Sequence, residues 1–505
     1  MTNINFKKQL PFNLLSNVMF FGFNIVIGIW MVPFLIKHLG VEGYGFIPLA
    51  WSITGYVGLI TIALNSAVSR YLVIALQNND ADGANKIFNT AFWSLALISI
   101  ILVPLSALFS WLIPNIFNVP KYLTVQVQIL FFAILLAFIV SFFSSIFSVS
   151  TFVNNRLDLR NLVDISNSLV RTLLIVFFFI FLSPSLVFVG IATLFGGLIS
   201  LLLGYFFFKK LTPLLKISRR YYDQMRLKEI TSMGGWLIVS QIGSLLFLQI
   251  DLIVANIFLG AHDAGKYGAI LQWSVLLRSM AGIIAGVLTP IILINYAKGE
   301  HQKIINMSQR SVKFMGLGMA VPVGLLCGFA HSLLIVWLGK GFVQYTLLLR
   351  LLTFHLVINL AVLPLYAVTN AHNRLRIPGI VTIVMGFINL LLAIILAKWV
   401  GLGVYGIAIA GAIMLTAKNA IFVPIYSAHV LKIPYDIFIK PMAVGVFLAG
   451  ISAAIAWTFS HYIVIDGWFK LFMTGGLALI LVTMVGVVLL GKDRDYLWSL
   501  VIVRA

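Results

Sequence analysis

Five charged side chains stand well inside long apolar stretches of the sequence. They are Arg171, Asp251, Arg278, Arg350 and Lys418. A charge in hydrocarbon is costly, so such residues usually pair with one another, face a water-filled cavity or bind a charged ligand. Arginine presents a planar fork of donors that fits phosphate or carboxylate. The excess of cations therefore favours an anionic ligand, whereas the lone acid is a candidate ion or proton site.

The depth of each basic residue in its apolar stretch ranks it as a binding candidate. Arg278 lies roughly 16 Å from the outer end of its predicted helix, near mid-membrane, and cannot easily reach the surface. It is the principal candidate for binding an anionic substrate. Further candidates are Arg171, Lys418 and Arg70. Arg350 is also a candidate, although its position near a helix end favours extension of its side chain towards the surface.

Two interpretations of Asp251 stay open. It is the only one of 14 acidic residues that falls well inside an apolar stretch, which favours a role in ion or proton coupling. It also lies one helix before Arg278 and could form a structural ion pair with it. Tyr56 occupies the place in the first half of the chain that matches Arg278 in the second, and could present a hydroxyl or an aromatic face to a substrate.

Long apolar runs that could position these residues recur along the whole chain. Of its 505 residues, 61% are hydrophobic and 10% charged, whereas soluble domains contain about a quarter charged residues. A helix needs about 20 residues to cross a bilayer, and the alternating pattern of a membrane barrel is absent from the sequence. The runs predict fourteen spans, numbered in chain order: 12–36, 45–76, 88–113, 123–152, 163–182, 185–208, 231–258, 267–297, 312–338, 345–371, 379–400, 404–428, 441–461 and 469–490.

The basic residues are distributed unevenly between the two sides of the predicted membrane. With the N-terminus inside, 24 of the 34 Lys and Arg residues lie in tails, inner loops and inner span ends, and 6 lie in outer loops. This asymmetry predicts that both termini are cytoplasmic. The densest cluster, at residues 209–228, is interpreted as an anchor on anionic lipid. The net charge of +20 therefore favours membrane lipids as partners, and nucleic acid is not expected.

Four landmarks recur at nearly one distance along the chain. "NNRLDLRN" at residues 154–161 matches "HNRLRIPG" at residues 372–379, and "HLGVEGYG" at 38–45 resembles "FLGAHDAGKYG" at 258–268. "VGIA" likewise recurs as "YGIA", and Pro104 corresponds to Pro322. The common offset of about 218 residues indicates an internal duplication.

The duplication predicts the architecture of an all-α polytopic membrane protein. Each repeat holds six helices, an even number, so the two copies share one orientation across the membrane. We expect an N-terminal lobe at residues 1–208, a cytoplasmic basic linker at 209–230 and a C-terminal lobe at 231–428. Residues 429–505 would add helices thirteen and fourteen and a cytoplasmic tail. Two such bundles would place a cavity between them.

Motifs of the common catalytic and cofactor sites are missing from the sequence. It contains no Walker loop, no nucleophile elbow, no H-E-x-x-H and no clustered carboxylate pair. "GLGVYG" at residues 401–406 follows no strand, so a dinucleotide role is not expected. The single cysteine, Cys327, cannot form an intramolecular disulfide or a thiolate cluster. We therefore expect no catalytic residues, no cofactor and no metal site, and any uphill work would draw on an ion gradient.

The sequence after spans one and seven resembles a known family. "PFLIKHLGVEGYG" at residues 33–45 and "DLIVANIFLGAHDAGKYG" at 251–268, with the 6+6+2 arrangement, resemble the polysaccharide-transporter branch of the multidrug/oligosaccharidyl-lipid/polysaccharide exporter superfamily. The resemblance covers essentially the whole chain. In this family an aspartate commonly stands about nine residues before the second Leu-Gly pair and is often followed by arginine. Asp251 matches that position, and Leu252 stands where the arginine would be.

The resemblance implies a flippase in the bacterial cell membrane. Its cargo would be an undecaprenyl-diphosphate-linked oligosaccharide, moved from the cytoplasmic to the outer leaflet by alternating access through a V-shaped, cationic cavity. Coupling to protons or to sodium stays open, as does a partnership with polysaccharide polymerase or ligase machinery. Two other functions stay open: a cation-coupled multidrug exporter, and a membrane scaffold for a glycan-polymerising complex.

Overall fold

The computed structural model describes residues 6–78, 80–231, 247, 249–491 and 493, and the regular secondary structure in these ranges is entirely helical. The α-helices are α1 Phe6–Gln77, α2 Ala81–Ile116, α3 Thr124–Val153, α4 Leu157–Phe181, α5 Leu186–Leu211, α6 Ile250–Leu259, α7 Ala261–Ala297, α8 His301–Gly328, α9 Ala330–Leu338, α10 Thr346–Thr353, α11 Leu356–Ala361, α12 Leu365–Ala371, α13 Arg376–Ile394, α14 Val404–Thr416, α15 Val423–Leu431, α16 Ile439–Tyr462 and α17 Trp468–Leu490.

Within the described ranges, twelve helical segments are long and apolar enough to cross a membrane. This finding confirms the predicted all-α polytopic class. The count of fourteen stays a prediction, because most of span seven, residues 232–246, lies outside the described part of the chain. Spans one and two both fall within α1, which is 72 residues long.

Single glycines interrupt the helices where loops were predicted at residues 37–44 and 259–266. A straight α1 would extend for about 108 Å, more than three times the hydrocarbon thickness. Gly40 breaks it with φ 73° and ψ 168°, and Gly260 has nearly the same conformation, φ 95° and ψ 173°. This region of backbone space is essentially restricted to glycine. The two Leu-Gly pairs, 220 residues apart in the sequence, therefore share one backbone conformation.

The Asn-Arg-Leu motifs also share one conformation. Asn155 and Asn373 both have positive φ, 50° and 53°. The amide of Arg156 donates to Thr151 at 2.7 Å, and the amide of Arg374 donates to Thr369 at 2.8 Å. Asparagine tolerates the left-handed region better than most residues, so it ends the preceding helix at both places. This recurrence at an offset of 218 residues is the structural expression of the predicted duplication.

The helices of spans nine and ten are interrupted. α8 ends before Phe329, and span ten consists of the three short helices α10, α11 and α12. Pro364 has no amide proton to continue a helix, and the turn there is closed by three-residue hydrogen bonds such as Leu365 N to Val362 O at 2.9 Å. The length of an apolar run alone does not reveal such interruptions.

Spans eleven and twelve contain stretches of π-helix, at Ile395–Trp399 and Ala417–Phe422. Such wide turns insert one residue into the helix and occur frequently at functional sites. The second stretch carries Lys418, one of the predicted site residues.

Two compact units make up the structure, Met1–Ala269 and Ile270–Ala505. The first contains a core of aromatic side chains from α2, α3 and α5, including Phe88, Phe147 and Phe208. The second contains a core of aliphatic and methionine side chains from α7, α8, α11 and α16, including Met315, Met319 and Leu356. The lobe boundaries drawn at residues 209–230 stay a prediction, and the tail after residue 493 lies outside the described chain.

Candidate functional site

The structure brings Arg278 and Lys418 together in the second unit. Arg278 is half-buried on α7, and Lys418 on the π-helical stretch is only 6% exposed. The two side chains lie within electrostatic range of each other, and Arg278 also lies within range of His355. The Lys418 ammonium is 5.6 Å from the centre of the Tyr366 ring, a separation at which a cation is attracted to an aromatic face. Two cations and a histidine thus share one region between apolar helices.

A network of neutral polar side chains surrounds these cations. Asn359 Nδ2 lies 2.6 Å from His355 Nδ1 and 3.3 Å from Thr416 Oγ1. The Tyr366 hydroxyl donates to Asn419 Oδ1 at 3.0 Å, and Asn419 Nδ2 donates to the Asn359 carbonyl at 3.5 Å. The network joins the broken span ten to the π-helical stretch. The interruptions in these two spans therefore coincide with the polar cluster that they position.

Negative charge is scarce in this part of the chain. Between Ile270 and Pro434 the sequence contains one acidic residue, Glu300, which lies between α7 and α8. Lys303 donates to its carboxylate at 2.9 Å, and this hydrogen bond holds the pKa of Glu300 below its ordinary value. An anion that entered the cluster would lower the repulsion between Arg278 and Lys418.

The predicted basic residues of the first unit have different surroundings. The Arg171 guanidinium on α4 lies 5.4 Å from the centre of the Trp51 ring on α1, so an aromatic face partly replaces water around this charge. Arg70, near the end of α1, is exposed. Tyr56 lies on the same helix, and its side chain is outside the described part of the structure. A role of these three residues in substrate binding stays a prediction.

Asp251 is buried in the first unit and accepts a hydrogen bond from a tyrosine. The aspartate is 8% exposed, and Tyr267 is completely buried. The Tyr267 hydroxyl donates to Asp251 Oδ2 at 2.7 Å. The two residues stand on either side of the Gly260 break, which brings α6 and α7 into this contact. The predicted ion pair with Arg278 and the predicted role in coupling both stay predictions.

Arg350 contacts the backbone of an interrupted helix. Its Nε donates to the Cys327 carbonyl at 3.0 Å, one residue before α8 ends at Gly328. Helix ends leave carbonyl oxygens without intrahelical partners, and basic side chains commonly bond to them. Arg350 also lines a mostly apolar cavity of about 470 Å³ together with Phe354 and Trp457. These contacts favour a structural role for Arg350 over the predicted role in substrate binding.

We expect Arg350→Ala to destabilise the protein without removing a substrate contact. Loss of a charge-assisted hydrogen bond should lower the free energy of unfolding by about 1.5–3 kcal/mol. The melting temperature of the purified variant and its transport rate per folded molecule would measure this. Lys340→Ala, which removes an exposed cation, is the control. A variant with an unchanged melting temperature and no transport would contradict the structural role.

The basic linker is fixed to α2 by buried polar side chains. Asn85 donates to the Leu214 carbonyl at 3.1 Å and accepts from the Lys216 amide at 2.8 Å. Asn89 donates to the Lys216 carbonyl at 2.7 Å and accepts from the Ser218 amide at 2.8 Å. Each asparagine thus satisfies one donor and one acceptor of the linker backbone. The linker has a defined path over the helix end.

Exposed apolar and basic side chains alternate on this linker. Leu214, Ile217 and Met225 are 60%, 39% and 74% exposed, and the Arg219 guanidinium lies 4.8 Å from the centre of the Trp93 ring. A segment that combines basic groups with exposed apolar ones suits the boundary between lipid headgroups and acyl chains. This arrangement fits the predicted anchor on anionic lipid.

Comparison with known proteins identifies the family. The model of the family described as "Polysaccharide biosynthesis protein" matches residues 12–294. The chain is 35% identical over 471 residues to the "Uncharacterized membrane protein EpsK" of Bacillus subtilis (strain 168), with 92% of each chain covered. The chain belongs to the polysaccharide biosynthesis protein family. This membership confirms the resemblance noted from the sequence motifs.

The chain is also similar to a putative transporter and to two solved transporter structures. It is 23% identical over 325 residues to the "Putative O-antigen transporter" of Shigella flexneri, covering 64% of this chain and 75% of that protein. The lipid II flippase MurJ in an inward closed conformation has a TM-score of 0.68 at 15% identity, with 96% and 100% of the two chains covered. An inward-facing multidrug resistance MATE transporter has a TM-score of 0.66 at 15% identity, with 88% and 99% covered. The chain therefore shares its fold with these two solved structures.

Several residues of the cluster were not among the predicted site residues. These residues are His355, Asn359, Tyr366 and Asn419, and the contact between Tyr267 and Asp251 was not predicted either. Asn359 lies on α11, between the interruptions of span ten, and Asn419 lies within the π-helical stretch of span twelve. An amide inside an apolar run was the available signal, since buried amides need hydrogen-bond partners.

Proposed function

We propose that the protein is a flippase for a lipid-linked oligosaccharide. Its cargo would be an undecaprenyl-diphosphate-linked repeat unit, moved from the cytoplasmic to the outer leaflet by alternating access for the synthesis of a cell-surface polysaccharide. The observation that carries this proposal is the approach of Arg278 and Lys418 to each other in a region of apolar helices with scarce negative charge.

The chemistry of the cargo explains why such a site would be needed. A lipid diphosphate carries its negative charge and its sugar hydroxyls through the membrane while its tail stays in lipid. An arginine fork binds a phosphate through two parallel charge-assisted hydrogen bonds, and a lysine adds a compact second charge. The hydroxyl and amide groups of Tyr366, Asn359 and Asn419 supply neutral polar partners beside these cations.

A cation-coupled multidrug exporter is the second candidate, since the fold likeness includes a MATE transporter. An organic cation would be repelled by Arg278 and Lys418, because like charges a few ångströms apart interact strongly where water is scarce. The cluster therefore favours an anionic cargo. A membrane scaffold for a glycan-polymerising complex is the third candidate and would need no such cluster. A polymerase or ligase would also accompany the flippase as a partner.

Transport by the reconstituted protein tests the proposed function. Proteoliposomes would be loaded with a radiolabelled polyprenyl-diphosphate oligosaccharide or offered a fluorescent organic cation. We expect movement of the lipid between leaflets and no uptake of the cation. Movement of the cation alone would support the exporter, and inactivity towards both in a correctly folded preparation would support the scaffold.

Orientation in the bacterial cell membrane belongs to the same proposal, with both termini in the cytoplasm. We expect Gln224→Cys in the basic linker to be protected from an impermeant thiol reagent in intact cells, and His262→Cys after the Gly260 break to react. Both positions are exposed, and a Cys327→Ala background removes the native thiol. Reaction of Gln224→Cys before the cells are opened would reverse the assigned orientation.

A further inference from the structure

A cavity of about 230 Å³ lies inside the first unit, between α1, α3, α4 and α5. Most of the residues that line it are polar, although the surrounding helices are apolar. The polar lining includes Thr61, Asn65, Ser145, Ser148, Asp164 and Asn167. It also includes Arg160, whose exposed side chain marks the end of the cavity near the start of α4. No predicted site residue is among the described residues that line this cavity.

The wall offers many hydrogen-bond acceptors. The Ser145 hydroxyl lies 2.6 Å from the Phe142 carbonyl of its own helix and 3.2 Å from Asn65 Oδ1. Ser148 donates to the Ser145 carbonyl at 2.6 Å. A hydroxyl whose proton is bound in this way retains lone pairs that accept hydrogen bonds. With the Asp164 carboxylate, these oxygens suit a ligand that carries several hydroxyl donors.

Within the described residues, one hydroxyl of the wall lacks a hydrogen-bond partner. Thr61 Oγ1 is buried and has no hydrogen-bond partner among the described residues. Buried polar atoms are nearly always hydrogen-bonded, so an exception calls for an explanation. A ligand in the cavity would supply one.

The size of the cavity restricts the ligand. One water needs about 10–15 Å³ of such space, so the cavity has room for on the order of fifteen waters. The volume of the cavity is far larger than a bare cation occupies. It is smaller than the 300–1,000 Å³ of pockets that hold drug-sized molecules. A single pyranose ring with its hydroxyl groups is of the intermediate size.

We propose that this cavity binds one sugar ring of the cargo. The inference rests on the proposed function and adds to it a specificity site within the first unit, separate from the Arg278–Lys418 cluster. The cavity lies near the end of α3 and the start of α4, beside the Asn155 turn that we predict to be cytoplasmic. The sugar would therefore be recognised on the side where the cargo is loaded.

Thr61→Val tests this proposal with little risk to the fold. Valine has the shape of threonine and removes only the hydroxyl, which makes no internal hydrogen bond. Thr172→Val is the matched control, because Thr172 Oγ1 is also buried and without a partner among the described residues but does not line the cavity. Native mass spectrometry of the full-length protein would compare polyprenyl diphosphate with the same lipid carrying one hexose, N-acetylhexosamine or hexuronic acid.

We expect the wild type to prefer at least one sugar-bearing lipid over the sugar-free lipid. Thr61→Val should lower this preference about three- to tenfold, the usual effect of one lost neutral hydrogen bond, and Thr172→Val should leave it unchanged. Equal binding of all lipids by the wild type, or an unchanged preference in Thr61→Val, would overturn the inference but leave the proposed function standing. Binding of no polyprenyl diphosphate at all would instead contradict the proposed function.

Discussion

Replacement of Arg278 by alanine is expected to abolish transport of a lipid-linked oligosaccharide while the protein still inserts and folds. Removal of one member of a desolvated, hydrogen-bonded charge contact typically costs 2–5 kcal/mol. We therefore expect the initial rate in proteoliposomes to fall at least about 30-fold. Arg278→Lys should restore transport only in part, because an ammonium keeps the charge but lacks the planar fork.

Two further variants separate substrate binding from a structural function of Arg278. Arg376→Ala removes an exposed arginine of the same unit and should transport like the wild type. If Arg278 merely neutralised Asp251, Arg278→Ala should lower the melting temperature, and the double variant with Asp251→Ala should recover both stability and transport. Wild-type rates in that double variant would end the proposal that Arg278 binds the diphosphate.

Asp251→Asn is expected to remove the dependence of transport on its driving ion. An asparagine cannot exchange a proton and carries no charge to attract sodium, but it can still accept the hydrogen bond from Tyr267. The fold should therefore be kept. Transport driven by a gradient should fall about tenfold or more, because a typical coupling free energy is 1–3 kcal/mol. Cargo affinity should change much less.

The measurement is the initial transport rate across the neutral pH range, with sodium or potassium as the only salt. Tyr267→Phe is the companion variant, since it removes the hydroxyl donor and leaves the carboxylate in place. It should alter the response to pH or sodium without abolishing it. If Asp251→Asn keeps the full wild-type response to both ions, Asp251 has a structural role alone.

Much of the fold could be predicted from the sequence because its determinants are local. An apolar run indicates a membrane helix wherever it occurs, and the positive φ of Gly40, Gly260, Asn155 and Asn373 falls within the recurring motifs. Residue type and spacing are sufficient for both. The membrane class and the family therefore followed from the chain itself.

The candidate site was only partly predictable because its contacts are made between distant segments. Arg278 and Lys418 were selected singly, each for the cost of burying its charge, but their proximity depends on a π-helical stretch that hydropathy does not reveal. Arg350 was also selected because burying its charge is costly. In the structure it donates a hydrogen bond to a backbone carbonyl near the interrupted end of another helix. The Tyr267 contact likewise depends on how the chain turns at Gly260.

The attachment of the basic linker to α2 bears on proteolysis. Lys216 and Arg219 stand in the densest basic segment of the chain and would be attractive sites for a trypsin-like protease. A protease needs several residues in extended form, so this segment must first detach from Asn85 and Asn89 in a local unfolding step. Its cleavage is therefore governed by the free energy of that opening. The exposure of its side chains alone does not make the segment susceptible to proteolysis.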